Sequence, residues 1–170
     1  MSTNSFDTSW HVSVAAESIT AYLFARVGYD VSVQYGANQP EYDLMIAKGD
    51  TVMKVSVKGS KDGGWALTAK YKNSEVSYYD AIDLWLAKHS KKTVFSLVQF
   101  INTDIYEIPR VYLATPNEIA NLMKTARNGL GDTVLRENKT WTGNMYVPDV
   151  IPKDWLFSES RIIQLTNSVK

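Results

Sequence analysis

Residues 41–60 read EYDLMIAKGDTVMKVSVKGS, two apolar runs joined through Lys48, Gly49 and Asp50. Glycine and aspartate at such a junction are turn residues, so the stretch predicts a hairpin of two strands. Side chains alternate across a strand, which sends Met53, Val55 and Val57 to one face and Lys54, Ser56 and Lys58 to the other. Asp43 opens the first arm and Lys58 closes the second, so one end of the hairpin gathers a carboxylate, the Ser56 hydroxyl and an ammonium group.

Working outward on the N-terminal side, Thr8 or Ser9 caps a helix through WHVSVAAESITAYLFARV. Val12, Ala15, Ala16, Ile19, Leu23 and Val27 keep near-helical spacing there, and Gly28 supplies the stop. YDVSVQY then alternates Val31, Val33 and Tyr35 on one face as a half-buried strand, ahead of the breakers GANQP. On the C-terminal side a loop KGSKDGG precedes WALTAKY, a further strand or extended edge. SEVSYYDAIDLWLAKH follows as a second helix with Tyr78, Ile82, Trp85 and Leu86 on one face. TVFSLVQFI reads as a strand buried on both faces, and IYEIPRVYLA as another, interrupted at Pro109. Thr115, Pro116 and Glu118 form a helix start with a capping box; that helix runs through EIANLMKTA and stops near Gly129 and Gly131. The remainder is expected to be irregular apart from a short helix after Pro152.

Composition limits the alternatives. With 170 residues, 45% hydrophobic and 21% charged, the chain suits one packed core, so a single domain is expected, with residues 1–114 as the core and 115–170 as an extension packed on it. Eighteen basic and eighteen acidic residues cancel, so any nucleic acid is met locally rather than through an overall field. Residues 54–92 carry eight lysines against four carboxylates, a basic segment beside the hairpin end. No cysteine is present, which excludes disulfides, thiolate zinc sites and thiol catalysis. MSTNSFDTSWHV has neither a basic n-region nor an apolar core, and no apolar run is long enough to span a bilayer, so a cytoplasmic protein without membrane contact is expected.

YDLMI followed by VSVKGS, with a Glu17-bearing helix before them and YYDAIDLWL after them, resembles the PD-(D/E)XK phosphodiesterase superfamily, over roughly the first two thirds of the chain. The resemblance implies an α/β restriction-endonuclease-like core, in the order helix, three-strand meander, helix, strand, with a C-terminal helical and irregular extension. It implies Asp43 as the metal-binding aspartate, Lys58 as the motif lysine, Glu17 as the first-helix glutamate of resolvase-like branches, and Val57 as the middle position whose backbone carbonyl ligates metal. Ser56 stands where the pattern has Asp or Glu. The implied cofactor is Mg²⁺ or Mn²⁺, the implied partner DNA, and the implied function a hydrolase: metal-dependent cleavage of phosphodiester bonds by a nuclease, with Glu17 restoring the charge that Ser56 lacks. Glu41 lies two residues before Asp43, on the same face if the strand extends that far.

Each residue also has a plainer reading. Asp43 and Lys58 alone could be an ion pair across the sheet end, and Lys54 a solvated edge charge. With the motif acid replaced, the fold could persist as a nucleic-acid or protein-binding module without catalysis. His11 and His89 lack ligand-rich spacing, Gly129-Leu130-Gly131 lacks the rest of a nucleotide fingerprint, and no serine sits in a nucleophile elbow. The aromatic tail, with Trp141, Tyr146, Trp155 and Phe157, is either a substrate-recognition lobe or, preferred here, a closure of the core or of a homodimer contact.

Overall fold

Thr8 starts the first element, because its side chain accepts the His11 N–H and satisfies a free donor at the head of α1 (Ser9–Arg26). The structure, a computed structural model, describes residues 6–34, 41–143 and 147–169. Val12, Ala16, Thr20 and Phe24 recur every four residues and form the buried stripe of α1. Gly28 follows the helix at φ +83°, a left-handed conformation that favours glycine. The chain then forms an antiparallel meander of β1 (Asp30–Val33), β2 (Leu44–Lys48) and β3 (Thr51–Ser60). Lys48 pairs with Thr51, which leaves Gly49 and Asp50 as a two-residue turn. Tyr35 and the GANQP stretch lie outside the described residues.

A short β4 (Gly64–Trp65) leaves the sheet, and α2 (Tyr78–Leu86), capped by Ser77, carries the chain across it. The chain returns as β5 (Thr93–Gln99), which pairs parallel to β3, and then as β6 (Arg110–Ala114), antiparallel to β5. The sheet order is β1-β2-β3-β5-β6. Every residue of β5 is buried, as its unbroken apolar run requires of a strand covered on both faces. One apolar cluster joins the α1 stripe to Leu44, Val55, Val57, Val94 and Val98; a second joins Trp85 of α2 to Phe95, Leu97, Ile119 and Trp155.

The C-terminal region covers both faces. α3 (Pro116–Gly129) begins with both halves of the capping box formed between Thr115 and Glu118. Its helical backbone ends at Ala126, and Arg127 and Asn128 take positive φ. β7 (Leu135–Arg136) pairs with β4, and β8 (Asn138–Lys139) with β9 (Asp149–Val150). α4 (Glu159–Ser168) then packs Ile162 and Leu165 into the α1 cluster. Arg161 of α4 is 2% exposed, and its guanidinium bonds the Leu113 carbonyl at 3.0 Å, Gln164 at 2.8 Å and both Glu118 oxygens at 2.8 and 2.9 Å. That network ties α4 to α3 and β6.

Four local expectations are corrected. Gly59 and Ser60 belong to β3, which runs past Lys58, rather than to a loop. WALTAKY contributes only the end of β4, then a 3-10 turn at Ala69–Tyr71. The strand expected to run through Pro109 begins after it, since proline has no N–H to give the ladder. The tail is more regular than expected: the helix expected after Pro152 is a 3-10 turn at Lys153–Trp155, and a longer helix, α4, follows it, its inward face concealed by the buried Arg161. Trp155 is buried and Phe157 packs against the α1 cluster, as core closure requires, whereas Trp141 is only half buried and Tyr146 lies outside the described residues. Among the described residues no helix is long and apolar enough to cross a membrane.

Gly59 sets the distance between α1 and the sheet. A Cβ there would lie 2.8 Å from Val12 Cγ1, 2.9 Å from the Val12 carbonyl oxygen and 3.0 Å from Ala16 Cβ. Gly59→Ala is therefore expected to lower unfolding stability by about 1–3 kcal/mol through overpacking, measured by urea denaturation; an unchanged midpoint would show that α1 is free to shift.

Candidate active site

β3 outruns β2. Their pairing starts at Leu44 opposite Val55, while β3 stays paired to β5 as far as Ser60. Beyond Val55, the β2-facing edge of β3 needs another acceptor for its N–H groups. Asp43 supplies it: Oδ2 accepts the Val57 N–H at 2.6 Å. The backbone of Asp43 is itself held, since its N–H donates to Val55 at 2.9 Å and its carbonyl accepts from Gln34 at 2.9 Å. A strand residue turns its N–H and C=O to the same edge, so the Val57 carbonyl faces the same opening. Oδ1 of Asp43 accepts no hydrogen bond among the described residues.

Ser56 is 1% exposed and its hydroxyl lies 3.5 Å from Asp43 Oδ2, at the weak limit of a hydrogen bond. It lies behind Asp43 as a neutral neighbour and adds no negative charge to the opening.

Glu17 arrives from α1. Its neighbour Ala16 packs over Gly59, so the close approach that glycine permits also brings Glu17 to the end of β3. Burial raises the Glu17 carboxyl above its usual range; the negative charge of Asp43 raises it further, and the positive charge of Lys58 opposes both. These three charges share one environment although they come from α1, the residue before β2, and β3. Among the described residues, no ion pair within 4.0 Å joins any two of them, so the ion pair between Asp43 and Lys58 considered from the sequence is not formed. Lys58 is exposed, and its carbonyl accepts the Trp65 indole N–H at 2.9 Å. Its side chain borders an open groove of about 340 Å³ that Ser9, Ser13, Asp62 and Trp65 also line.

Glu41 does not share the strand face with Asp43, because β2 starts only at Leu44. Its Oε1 instead accepts the Ser90 N–H at 2.8 Å and lies 3.0 Å from His89 Nδ1. The His89 ring packs beside Trp85 and Phe95, with centroids 4.7 and 5.0 Å away. Burial lowers its proton affinity, the Glu41 carboxylate raises it, and the charges of Lys58 and Lys70 lower it again. His89 thus adjoins the site, which the sequence did not indicate. The signal was indirect: a parallel crossover from β3 to β5 carries the end of α2 over the face that bears Ser56 and Lys58. Lys54 is exposed and stacks over Tyr42 at 5.0 Å, as an edge charge would.

Among the described residues no group of three or more acidic or histidine side chains converges to hold a metal ion. Two carboxylates and the Val57 carbonyl are what the opening offers. They fit Mg²⁺ or Mn²⁺, because Mg²⁺ uses one or two carboxylates and keeps several waters. The electrostatics agree: Glu17 and Asp43 repel each other without a direct cationic partner, and a divalent cation relieves that repulsion.

The raised proton affinity of Glu17 has a consequence for stability. A carboxyl that binds its proton more tightly in the folded state contributes fully below its unfolded value, near 4.5, and weakens the fold as pH rises through the folded value. In EDTA at pH 7.5, Glu17→Gln should therefore melt above wild type, and the gap should close by pH 4; a mutant that melts below wild type at pH 7.5 refutes the assignment.

Comparison of the chain with known family models, with curated proteins and with solved structures finds no match.

Proposed function

We propose that this chain is a metal-dependent nuclease of restriction-endonuclease-like fold that hydrolyses phosphodiester bonds in DNA. One observation carries the reading: Glu17 of α1 feels the charges of both Lys58 and Asp43, and Asp43 caps the Val57 N–H at the open edge of β3. The order helix, three-strand meander, helix and parallel strand supports it.

In this reading Asp43, Glu17 and the Val57 carbonyl hold Mg²⁺ or Mn²⁺. The ion, when bound, neutralises charge on the phosphate and makes a bound water nucleophilic. Asp43 is orientated for its part by the Val57 N–H, which occupies Oδ2 and leaves Oδ1 for the ion. Lys58, exposed and without an ion pair among the described residues, faces the phosphate and stabilises the negative charge that develops as water attacks phosphorus and the leaving oxygen departs. Ser56 supplies no ligand charge, so metal binding is weaker than a site with three carboxylates would give.

Ser56 is also the observation that favours a second reading, a binding module that has lost catalysis. Melting with and without Mg²⁺, joined to cleavage of single-stranded, duplex and branched DNA in Mg²⁺ and in Mn²⁺, separates the two. A nuclease should be stabilised by the ion, which binds only the folded state. Asp43→Asn should abolish that shift, and Lys58→Ala should slow cutting about a hundredfold or more. No shift and no cutting in either metal would sink the nuclease reading and leave the binding module.

A further inference from the structure

We propose that a phosphate-reading surface extends from the Lys58 site, along the turn Ala69–Tyr71 and the start of α2, to Trp141, and that it seats the backbone of duplex DNA. Its placement beside a cutting site rests on the nuclease reading above; its chemistry stands on separate residues.

Cations and rings alternate along this path. Lys70 Nζ lies 5.0 Å from the Tyr71 ring centroid, and Lys72 Nζ 5.1 Å from that of Tyr78. Arg127 bridges two rings, with its guanidinium carbon 5.2 Å from Tyr78 and 5.6 Å from Trp141. Arg136 and Lys139 complete the far end, 5.9 and 5.5 Å from Trp141. At the near end the Lys58 carbonyl accepts the Trp65 indole N–H at 2.9 Å, and the groove that Lys58 borders continues to Leu67, two residues before the Ala69–Tyr71 turn. The path therefore joins the site at one end and the C-terminal aromatic region at the other.

Its charge is largely uncompensated. Of these six cations only Arg136 has a carboxylate partner, Asp132 at 3.4 Å, among the described residues. Asp149 is occupied by the Arg127 N–H, at 3.1 and 3.2 Å from its two oxygens, and by the Trp141 indole N–H at 2.7 Å. That backbone contact holds Arg127 at φ +54°, just past the regular part of α3. Its guanidinium makes no hydrogen bond to a described residue, and its Nε is buried without a partner. The buried Nε is closed to an outside ligand, but a guanidinium whose terminal nitrogens have no acceptor within the described residues can meet phosphate oxygens.

The rings decide what is read. Tyr78 carries two cations and Trp141 three, so their faces are engaged by the protein's own charges. Rings engaged in this way hold cations in place but do not stack on bases. The surface should accordingly track phosphates without regard to sequence, and its affinity should fall steeply with salt.

The test is fluorescence anisotropy of a labelled DNA duplex in EDTA, so that no cutting occurs, across a salt series. The combined variant Lys70→Gln, Lys72→Gln, Lys139→Gln should reduce the slope of log Kd against log salt by roughly 2.7, about 0.9 for each phosphate that is no longer neutralised. Arg26→Gln with Lys48→Gln, at the opposite end of β3 from Lys58, should leave it unchanged. Two unrelated duplex sequences should bind alike. Equal slopes for wild type and the combined variant, no duplex binding by wild type, or tighter binding of single-stranded oligothymidine than of duplex would each overturn the proposal. Those outcomes leave the nuclease reading standing if Mg²⁺ still raises the melting temperature and Asp43→Asn abolishes the rise, since that measurement contains no DNA.

Discussion

The contact between the Asp43 carboxylate and the Val57 N–H, 2.6 Å long, fixes the end of the sheet that carries the candidate site. It exists because β3 continues past the start of β2, and a strand edge inside a folded domain must find acceptors for its N–H groups. A side chain takes the place of a neighbouring strand there. One carboxylate oxygen is thereby immobilised, and the other accepts no hydrogen bond among the described residues. A group already fixed by the backbone can hold a ligand without first being ordered.

The second constraint is the close approach of α1 at Gly59. Helix and strand meet with no room for a Cβ, and this places Glu17 where it feels both Asp43 and Lys58. Burial and the neighbouring Asp43 charge make an ionised Glu17 costly to the fold at neutral pH, and Lys58 offsets part of that cost. Ser56 keeps that cost from growing: a third carboxylate at this buried position would add to the repulsion.

The C-terminal region stabilises the core and shapes the surface. Buried Arg161 joins α4, Leu113 and Glu118, and leaves α4 unable to separate from α3 without stranding a charge. Further along, Asp149 turns Arg127 and Trp141 toward each other and gathers basic residues distant in sequence onto one strip. The excess of lysine in residues 54–92 accounts for the near end of that strip, through Lys58, Lys70 and Lys72, and its far end comes from beyond that segment.

Local chemistry was enough to determine most elements. A cap at Thr8 or Ser9, a cap at Thr115, a turn around Gly49 and Asp50, and a strand covered on both faces in TVFSLVQFI follow from local chemistry, whatever surrounds them. The alternation of β3 likewise separates Val57 from Ser56 and Lys58 by sequence alone. What the chain could not reveal are relations between distant residues. The extent of α4 stayed hidden because a buried arginine, held beside Glu118, breaks its apolar pattern. His89 looked solitary because its partner Glu41 lies across the sheet. The end of β3 and the absence of an ion pair between Asp43 and Lys58 depended on where β2 begins. Sequence determines propensity, period and turn chemistry over a few residues, whereas burial, strand overhang and charge environment arise only when separate segments pack, and these decide what the site can hold.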